Sequence, residues 1–359
     1  MPSAERFEIE GVAIGREERP YVLAEIGINH GGDVSLAERM VQAAAEAGAD
    51  GVKFQTFRAA DLVNPEKAPD QYEIFSKCEL DRKAHLRLRD VARAASVAFI
   101  STPFSERDAD LLAEIGLPAI KIASGDLTNH PLLKHVGALG LPVILSTGMS
   151  YLEEVRAARD VLLSAGCPNL ALLHCVSRYP TAPSELNLLA IGTMLQEFPE
   201  VIGFSDHTEG IWAAPAAVAV GARFIEKHFT LDRTLPGPDH ALSVEPGQLA
   251  LLVEAVRGVY EGLGDGEKKP CEEEVRKRHL GRKGLYASRD IAKGAVISRD
   301  DVKVSRPEGV IGAWALEVVL GKEACRAVKA GEEITWETVG VKDSDSVKLG
   351  GFWNTRGRA

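Results

Sequence analysis

Two lysines stand where lysine is costly. Lys53 lies inside GVKFQ and Lys121 inside AIKIAS, both short apolar runs. An ammonium taken from water into such surroundings needs a counter-charge. A carboxylate of the same fold could supply it as a buried ion pair, whereas two such lysines gathered at one end point to a bound anion. Hydroxyls close further runs of this kind: Thr102 in VAFIST, Ser124 in AIKIAS and Ser146 in PVILST. Gly125 and Gly148 lie close to two of these serines, where a backbone without Cβ can bring N–H groups near an anion. His207 ends VIGFSDH and His228 ends FIEKH. If those runs are adjacent strands, two imidazoles converge and leave positions for water and a substrate oxygen, as an open catalytic metal site requires. Such nitrogen and oxygen ligation does not by itself select the metal. Glu25, Asp126, Glu226 and Asp239 fall at or just past run ends and are candidates for proton transfer. Glu226, next to Lys227, best suits the simpler role of neutralising a lysine. Asp206, beside His207, is placed to orient a ligand, and His174 to act as support. Lysines, hydroxyls, carboxylates and imidazoles together suit a metal-assisted reaction on a small anion.

The elements that must position these groups are eight short apolar runs, each ending in a polar residue. They are YVLAE, GVKFQ, VAFIST, AIKIAS, PVILST, LALLH, VIGFSDH and FIEKH. Stretches of helical period separate them, such as Leu36 to Ala47, Tyr151 to Ala165 and Gly210 to Val220. Eight strand–helix units with functional groups at strand C-termini predict an α/β fold, a (β/α)8 TIM barrel. Near-continuous apolar runs fit parallel strands covered on both faces. Caps support the helices: Asp33 or Ser35 before the first, Ser105 before the third, and Ser150 with Glu153 before the fifth. Residues 1–18 read as a polar lead-in with one short strand. The barrel domain is expected over 1–264, a charged Gly/Pro-containing linker over 265–280, a small β-rich domain over 281–342 and a frayed tail over 343–359. Two similar phrases, DIAKGAVIS and AVKAGEEIT, suggest internal pseudo-symmetry in the small domain.

Composition narrows the function classes. The 359 residues are 45% hydrophobic and 26% charged with a net charge of -10, so the chain as a whole does not attract nucleic acid or anionic membrane. No run is long enough to span a bilayer, and the N-terminal residues show no signal-peptide core. Five cysteines without paired spacing (Cys78, Cys167, Cys175, Cys271 and Cys325) read as reduced thiols, which predicts a cytoplasmic protein.

AEIGINHGG, VKFQT, ISTPFS, KIASGD, ILSTGM, HCVSRYPT, SDHT, EKHFT and PGPDHALS occur in this order through the barrel. Together they resemble the sialic acid synthase family, and the small domain resembles that family's SAF domain, similar to type III antifreeze protein. The resemblance implies condensation of phosphoenolpyruvate with an N-acyl amino sugar to a nonulosonic acid of the sialic, legionaminic or pseudaminic type. It places Lys53 and Lys121 on the phosphoenolpyruvate carboxylate and phosphate, with Thr102, Ser124, Ser146 and Ser177 as further donors. Ser177 stands where some members have asparagine. His207 and His228 are implied to hold Mn²⁺ or Mg²⁺. Glu25 and Asp239 are implied to meet the acceptor sugar, with Gln55 and Tyr179 as further contacts. Asp126 is implied near the reacting atoms, where the family often has glutamate. Arg306, in VSRPEG, resembles an arginine that the SAF domain inserts into the partner's active site, which implies a homodimer. Here the chain reads RPEGVIG where the family usually has RPGxG. The segment between Phe57 and Leu80 should line the acceptor pocket, with Asp61, Asn64 and Tyr72 as contacts. Its short length favours a modified nonulosonate. One rival is a 3-deoxy-octulosonate 8-phosphate synthase-like enzyme, which would need an extra basic cluster for a sugar phosphate. Another is a non-catalytic carbohydrate-binding barrel, which would not need both lysines and both histidines.

Overall fold

A computed structural model describes residues 6–341. The chain divides into two compact units at Asp265/Gly266. The first opens with an antiparallel hairpin, β1 (Arg6–Ile9) and β2 (Val12–Gly15), where one strand was expected. Its two-residue turn puts Glu10 at φ 48 and Gly11 at φ 78, the left-handed pair that matches strand twist in a tight hairpin. Strands this short, turned by Glu-Gly rather than Asn-Gly, leave little pattern to read.

Eight parallel strands follow and close into a barrel, β10 pairing with both β9 and β3. They are β3 (Tyr21–Gly27), β4 (Gly51–Thr56), β5 (Ala98–Pro103), β6 (Ile120–Ile122), β7 (Val143–Ser146), β8 (Leu170–Cys175), β9 (Val201–Asp206) and β10 (Phe224–His228). Each coincides with one of the eight runs, and helices connect them as a TIM barrel requires. Asp33 caps Val34–Glu46 by accepting from Ser35 and Leu36 N–H at 2.8 and 3.1 Å, and Ser105 caps Glu106–Glu114. The cap of Leu152–Ala165 falls one residue later than expected. Tyr151 N–H donates to Glu154 Oε2 at 2.7 Å, while Ser150 is drawn back to the Gly148 carbonyl.

Side chains on a strand alternate between faces. Val22, Ala24 and Ile26 of β3 and Val52 and Phe54 of β4 join the large core under the helices. Tyr21 and Leu23 join a second core inside the barrel, with Ile100, Leu173 and Phe224. Phe7, Ile9 and Ile14 of the hairpin belong to that inner core, so the hairpin stops the N-terminal mouth of the barrel. By the same alternation Glu25, Lys53, Gln55, Thr102, Lys121, Ser146, Cys175, Ser205 and Glu226 project inward, above this plug.

The second unit differs from expectation at its start. The stretch read as a linker carries a helix, Glu272–Gly281. It buries nothing and has no apolar period. Its order comes from Glu272–Glu274 at the N-terminus, Arg278 and His279 in the last turn, and pairs such as Arg276–Glu272 at 3.3 Å. β11 (Gly284–Ala287) and β12 (Val302–Ser305) then pair antiparallel over a compact core that includes Leu285, Ile297, Val328 and Trp336. The two similar phrases do correspond. Ile291 and Val328 exchange both backbone hydrogen bonds across a local two-fold. Gly294 and Gly331 take matching left-handed turns at φ 82 and 83, and Ala324→Ala295 is repeated as Ala287→Glu332. The expected tail, 343–359, lies outside the described residues.

Candidate active site

The inward residues at the C-terminal ends of the strands form one charged cluster. Lys53 Nζ lies 3.0 Å from Glu25 Oε1 and 3.7 Å from Glu226 Oε2. Lys121 Nζ lies 3.6 Å from the same Glu226 oxygen, so a single carboxylate is shared by two ammonium groups. All four residues are at least 95% buried. Hydroxyls complete the setting: Lys53 donates to Thr102 Oγ1 at 3.3 Å and Lys121 to Ser146 Oγ at 2.6 Å, while Ser205 donates to Glu226 Oε1 at 3.0 Å. Gln55 Nε2 donates to Glu25 Oε1 at 3.3 Å. Glu25 Oε2 and Glu226 Oε2 are buried without a hydrogen-bond partner.

The two carboxyls diverge in acidity for reasons visible in these distances. Burial raises Glu25 from the ordinary 4.5 to about 7, against the pull of Lys53. Burial also opposes ionisation of Glu226, but Lys121 and Lys53 outweigh it and hold Glu226 at about 2. Burial opposes the charge on Lys53 too, yet Glu226 and Glu25 raise its pKa. For Lys121 desolvation outweighs the pull of Glu226, its ion-pair partner among the described residues, and with the repulsion of Lys53 lowers its pKa. Two carboxyls a few ångströms apart are thus set for different work, one ionised as a counter-ion and one near neutrality as an acid or base.

A hydroxyl-lined turn adjoins Lys121. At Gly148 an added Cβ would lie 2.9 Å from Ser124 Oγ and 2.3 Å from Ser177 Oγ, so only glycine lets these loops meet. Its N–H donates to Ser124 Oγ at 3.0 Å. Cys175 Sγ also approaches this point, 3.2 Å from the same Cβ position.

The expected imidazole pair is present. The rings of His207 and His228 have centroids 5.3 Å apart, with Tyr179 packed 4.1 Å from the first and edge-on at 5.8 Å from the second. His207 Nδ1 is 2.8 Å from the Val176 carbonyl, which can only accept, so Nδ1 carries a proton and Nε2 has the lone pair of the neutral ring. Burial opposes a second proton on His207, but Cys175 Sγ at 3.7 Å and the Val176 carbonyl outweigh it and raise its pKa. Burial, then His207 and Lys53, push His228 well below the usual range, so it stays neutral. His228 Nδ1 is buried without a hydrogen bond, 3.9 Å from Asp239 Oδ2. Among the described residues no three His, Cys, Asp or Glu side chains are close enough to enclose a cation by themselves. The neutral ring of His228 with its orphaned Nδ1, the Nε2 lone pair that His207 offers in its neutral form and one neighbouring carboxyl fit a divalent ion whose remaining ligands are water and substrate.

Glu25, Lys53, Gln55, Thr102, Lys121 and Ser146 are thus brought into direct contact, and His207, His228, Tyr179 and Asp239 meet beside them. Asp126 is elsewhere engaged: it accepts from Asn129 Nδ2 at 3.0 Å, and Asn129 in turn caps His130–Ala138. Among the described residues it pairs with neither lysine. Arg306 belongs to the second unit, just past β12, where its guanidinium is exposed and makes no ion pair among the described residues. Asp206 does not orient His207. It sits on the outer face of β9 in a fully buried pair with Lys227 at 2.9 Å and accepts from Thr208 N–H and Oγ1. Glu226 does neutralise lysine as expected, but the lysines are Lys53 and Lys121 rather than its neighbour Lys227, and this makes it the centre of the cluster. Ser205 and Cys175 were also missed, because VIGFSD and LALLHC are covered on both faces and alternation alone does not say which set points inward. Between Phe57 and Leu80 lie the helices Ala59–Leu62 and Pro69–Cys78. Asp61 is exposed, Tyr72 half-buried, and Asn64 Oδ1 is occupied by the N–H groups of Glu66 and Lys67.

The sequence profile of the NeuB family matches residues 40–268, more than half of the chain. The chain belongs to the NeuB family. A SAF domain matches residues 282–340, within the second unit. Among curated relatives, N,N'-diacetyllegionaminic acid synthase of Legionella pneumophila is 41% identical over 335 residues, covering 89% of this chain and 94% of that protein. N-acetylneuraminate-9-phosphate synthase of Homo sapiens is 34% identical, covering 91% and 94%. The crystal structure of an N-acetylneuraminic acid synthetase from Leptospira borgpetersenii, in complex with citrate, superposes with a TM-score of 0.73 at 36% identity, covering 79% of this chain and 99% of that one.

Proposed function

We propose that this protein condenses phosphoenolpyruvate with an N-acyl amino sugar aldehyde to give a nonulosonic acid, releasing phosphate by C–O cleavage. The observation that carries this reading is the pair of buried lysines sharing Glu226 beside an imidazole pair at one barrel mouth. Its relatives are synthases of this class, which supports the same assignment. In the reaction C3 of the enol ester attacks the aldehyde carbon, water captures the cationic C2, and the tetrahedral intermediate expels phosphate. Lys53 and Lys121, with Thr102, Ser124, Ser146 and Ser177, bind the carboxylate and phosphate and stabilise charge on the departing group. Glu226 is the counter-ion that keeps both ammonium groups charged before substrate arrives. Glu25, at about 7, is placed to give or take a proton on the sugar or the attacking water. Asp239, Gln55 and Tyr179 orient the sugar, and Asp126 acts through the turn that carries Ser124. His207 and His228 would hold Mn²⁺ or Mg²⁺, which when bound supplies Lewis-acid polarisation of a carbonyl oxygen. The enzyme works in the cytoplasm as a homodimer in which Arg306 of each SAF domain caps the other subunit's site. Support for the capping role is the guanidinium of Arg306, exposed and without an ion pair among the described residues. No helix among the described residues is long and apolar enough to cross a membrane.

Phosphate release from phosphoenolpyruvate in the presence of amino sugars tests the reading. Lys121→Ala should lower it by roughly a hundredfold to a thousandfold, the ~10²–10³ cost of removing one preorganised charge-stabilising donor, with an unchanged circular dichroism spectrum. Turnover close to the parent's would remove the lysine from the chemistry.

A further inference from the structure

Lys227 is fully buried, and the charged cluster does not use it. The same outer face of β10 carries Ile225, and that of β9 carries Ile202 and Phe204, all in the core beneath the helices. Only the last outward position of each strand breaks this apolar face, with the buried pair Asp206–Lys227. Two packed apolar side chains there would serve stability as well, so the pair is better explained by the one arrangement it enforces.

That arrangement brackets His207. Lys227 Nζ donates to Asp206 Oδ2 at 2.9 Å and to the Thr208 carbonyl at 2.6 Å, one acceptor on either side of the histidine. Asp206 Oδ1 accepts from Thr208 N–H at 2.8 Å and from Thr208 Oγ1 at 2.7 Å, which closes the turn that carries His207. The backbone ladder between β9 and β10 ends where Lys227 faces Asp206. Beyond it the two histidines are held by different neighbours. His228 pairs with Glu25 of β3, and the His207 carbonyl accepts from Thr181 N–H at 2.9 Å. The ammonium of Lys227 is thus a side-chain tie from the strand of one histidine to the turn of the other. It touches neither ring, and the orientation of His207 stays with the Val176 carbonyl. What the tie fixes is the separation of the two strand ends.

We propose that Lys227, through Asp206 and the Thr208 carbonyl, is a positioning residue that holds His207 and His228 at the spacing a divalent ion requires. This rests on the metal assignment above.

Mn²⁺ affinity of the full chain is measured from the electron paramagnetic resonance signal of the free ion. Asp206→Asn combined with Lys227→Met leaves no unpaired charge and keeps an oxygen for Thr208, so it removes the tie between the strands. Its Kd for Mn²⁺ should rise about tenfold or more, as loss of an outer partner of a metal ligand does. The rise in Tm that phosphoenolpyruvate gives the metal-free protein reads Lys53 and Lys121 instead, and should match the parent's. Thr208→Val loosens the same turn by one hydrogen bond and should raise Kd about threefold, whereas Thr208→Ser keeps the hydroxyl and should not. An unchanged Kd in the double variant, or in Thr208→Val where the double variant does not fold, overturns the positioning role and leaves the imidazole pair standing. A folded double variant that loses Mn²⁺ affinity and phosphoenolpyruvate stabilisation alike also overturns it, since the pair then supports the barrel at large. No Mn²⁺ bound by the parent overturns the metal assignment as well.

Discussion

Glu226 is the keystone of the charged cluster, and Glu226→Gln tests this directly. In the parent its Oε2 lies 3.7 Å from Lys53 and 3.6 Å from Lys121. The amide keeps the shape and the contact with Ser205 but removes the charge. Lys53 retains Glu25 at 3.0 Å, whereas Lys121 keeps only the Ser146 hydroxyl and the Ile122 carbonyl. Removing one partner of a buried pair costs ~3–5 kcal/mol. Retention of Glu25 and release of a proton by Lys121 favour the lower end, about 3 kcal/mol. For a domain of this size ~1 kcal/mol moves Tm by ~2–4 °C, so differential scanning fluorimetry should show a fall of roughly 6–12 °C. Phosphoenolpyruvate brings the missing anion, so saturating substrate should raise Tm more in the variant than in the parent. An apo Tm within about 2 °C of the parent would show that the lysines do not depend on Glu226. A smaller substrate-induced shift in the variant would show that the anion does not take its place.

The acidities of the two carboxyls give opposite pH signatures in stability. Glu25 titrates at about 7 when folded against 4.5 ordinarily, so its folded form holds the extra proton and stability falls as pH rises from about 4.5 to 7. Glu226 at about 2 has the reverse sign and contributes stability that is lost as pH falls from about 4.5 to 2. Between pH 5 and 7 the urea midpoint of the parent should fall relative to that of Glu25→Gln, and parallel curves would exclude the raised acidity constant. Chelation with EDTA should stop turnover and Mn²⁺ or Mg²⁺ should restore it, while His207→Ala should lose the rise in Tm that Mn²⁺ gives the parent. Turnover untouched by EDTA would remove the metal.

The barrel was legible because each of its eight strands is an unbroken apolar run ending in a polar residue, and covered parallel strands write themselves that way. Lys53 and Lys121 stood out as charges that such a run should not contain. Which of two adjacent charged residues faces inward was harder. In FIEKH both faces are covered, so the sequence offers no contrast between Glu226 and Lys227. The register pairing Lys227 with Asp206 settles it, and that register is a property of the closed barrel. The same holds for Cys175, which reaches His207 only because β8 and β9 are neighbours. Glu272–Gly281 escaped notice since its order rests on charge placement rather than apolar period. Asp126 sits in the motif as expected, but its hydrogen bond to Asn129 turns on a capping geometry that composition does not reveal.

The stopper formed by Phe7, Ile9 and Ile14 has a kinetic corollary. With the lower end of the cylinder sealed, ligands have one doorway. In the reaction proposed above, the anion resting deepest, on Lys53 and Lys121, must be loaded before the bulkier sugar arrives above it. Inorganic phosphate formed at that depth would stay trapped until the product clears the passage, so traffic on this scheme is last in, first out.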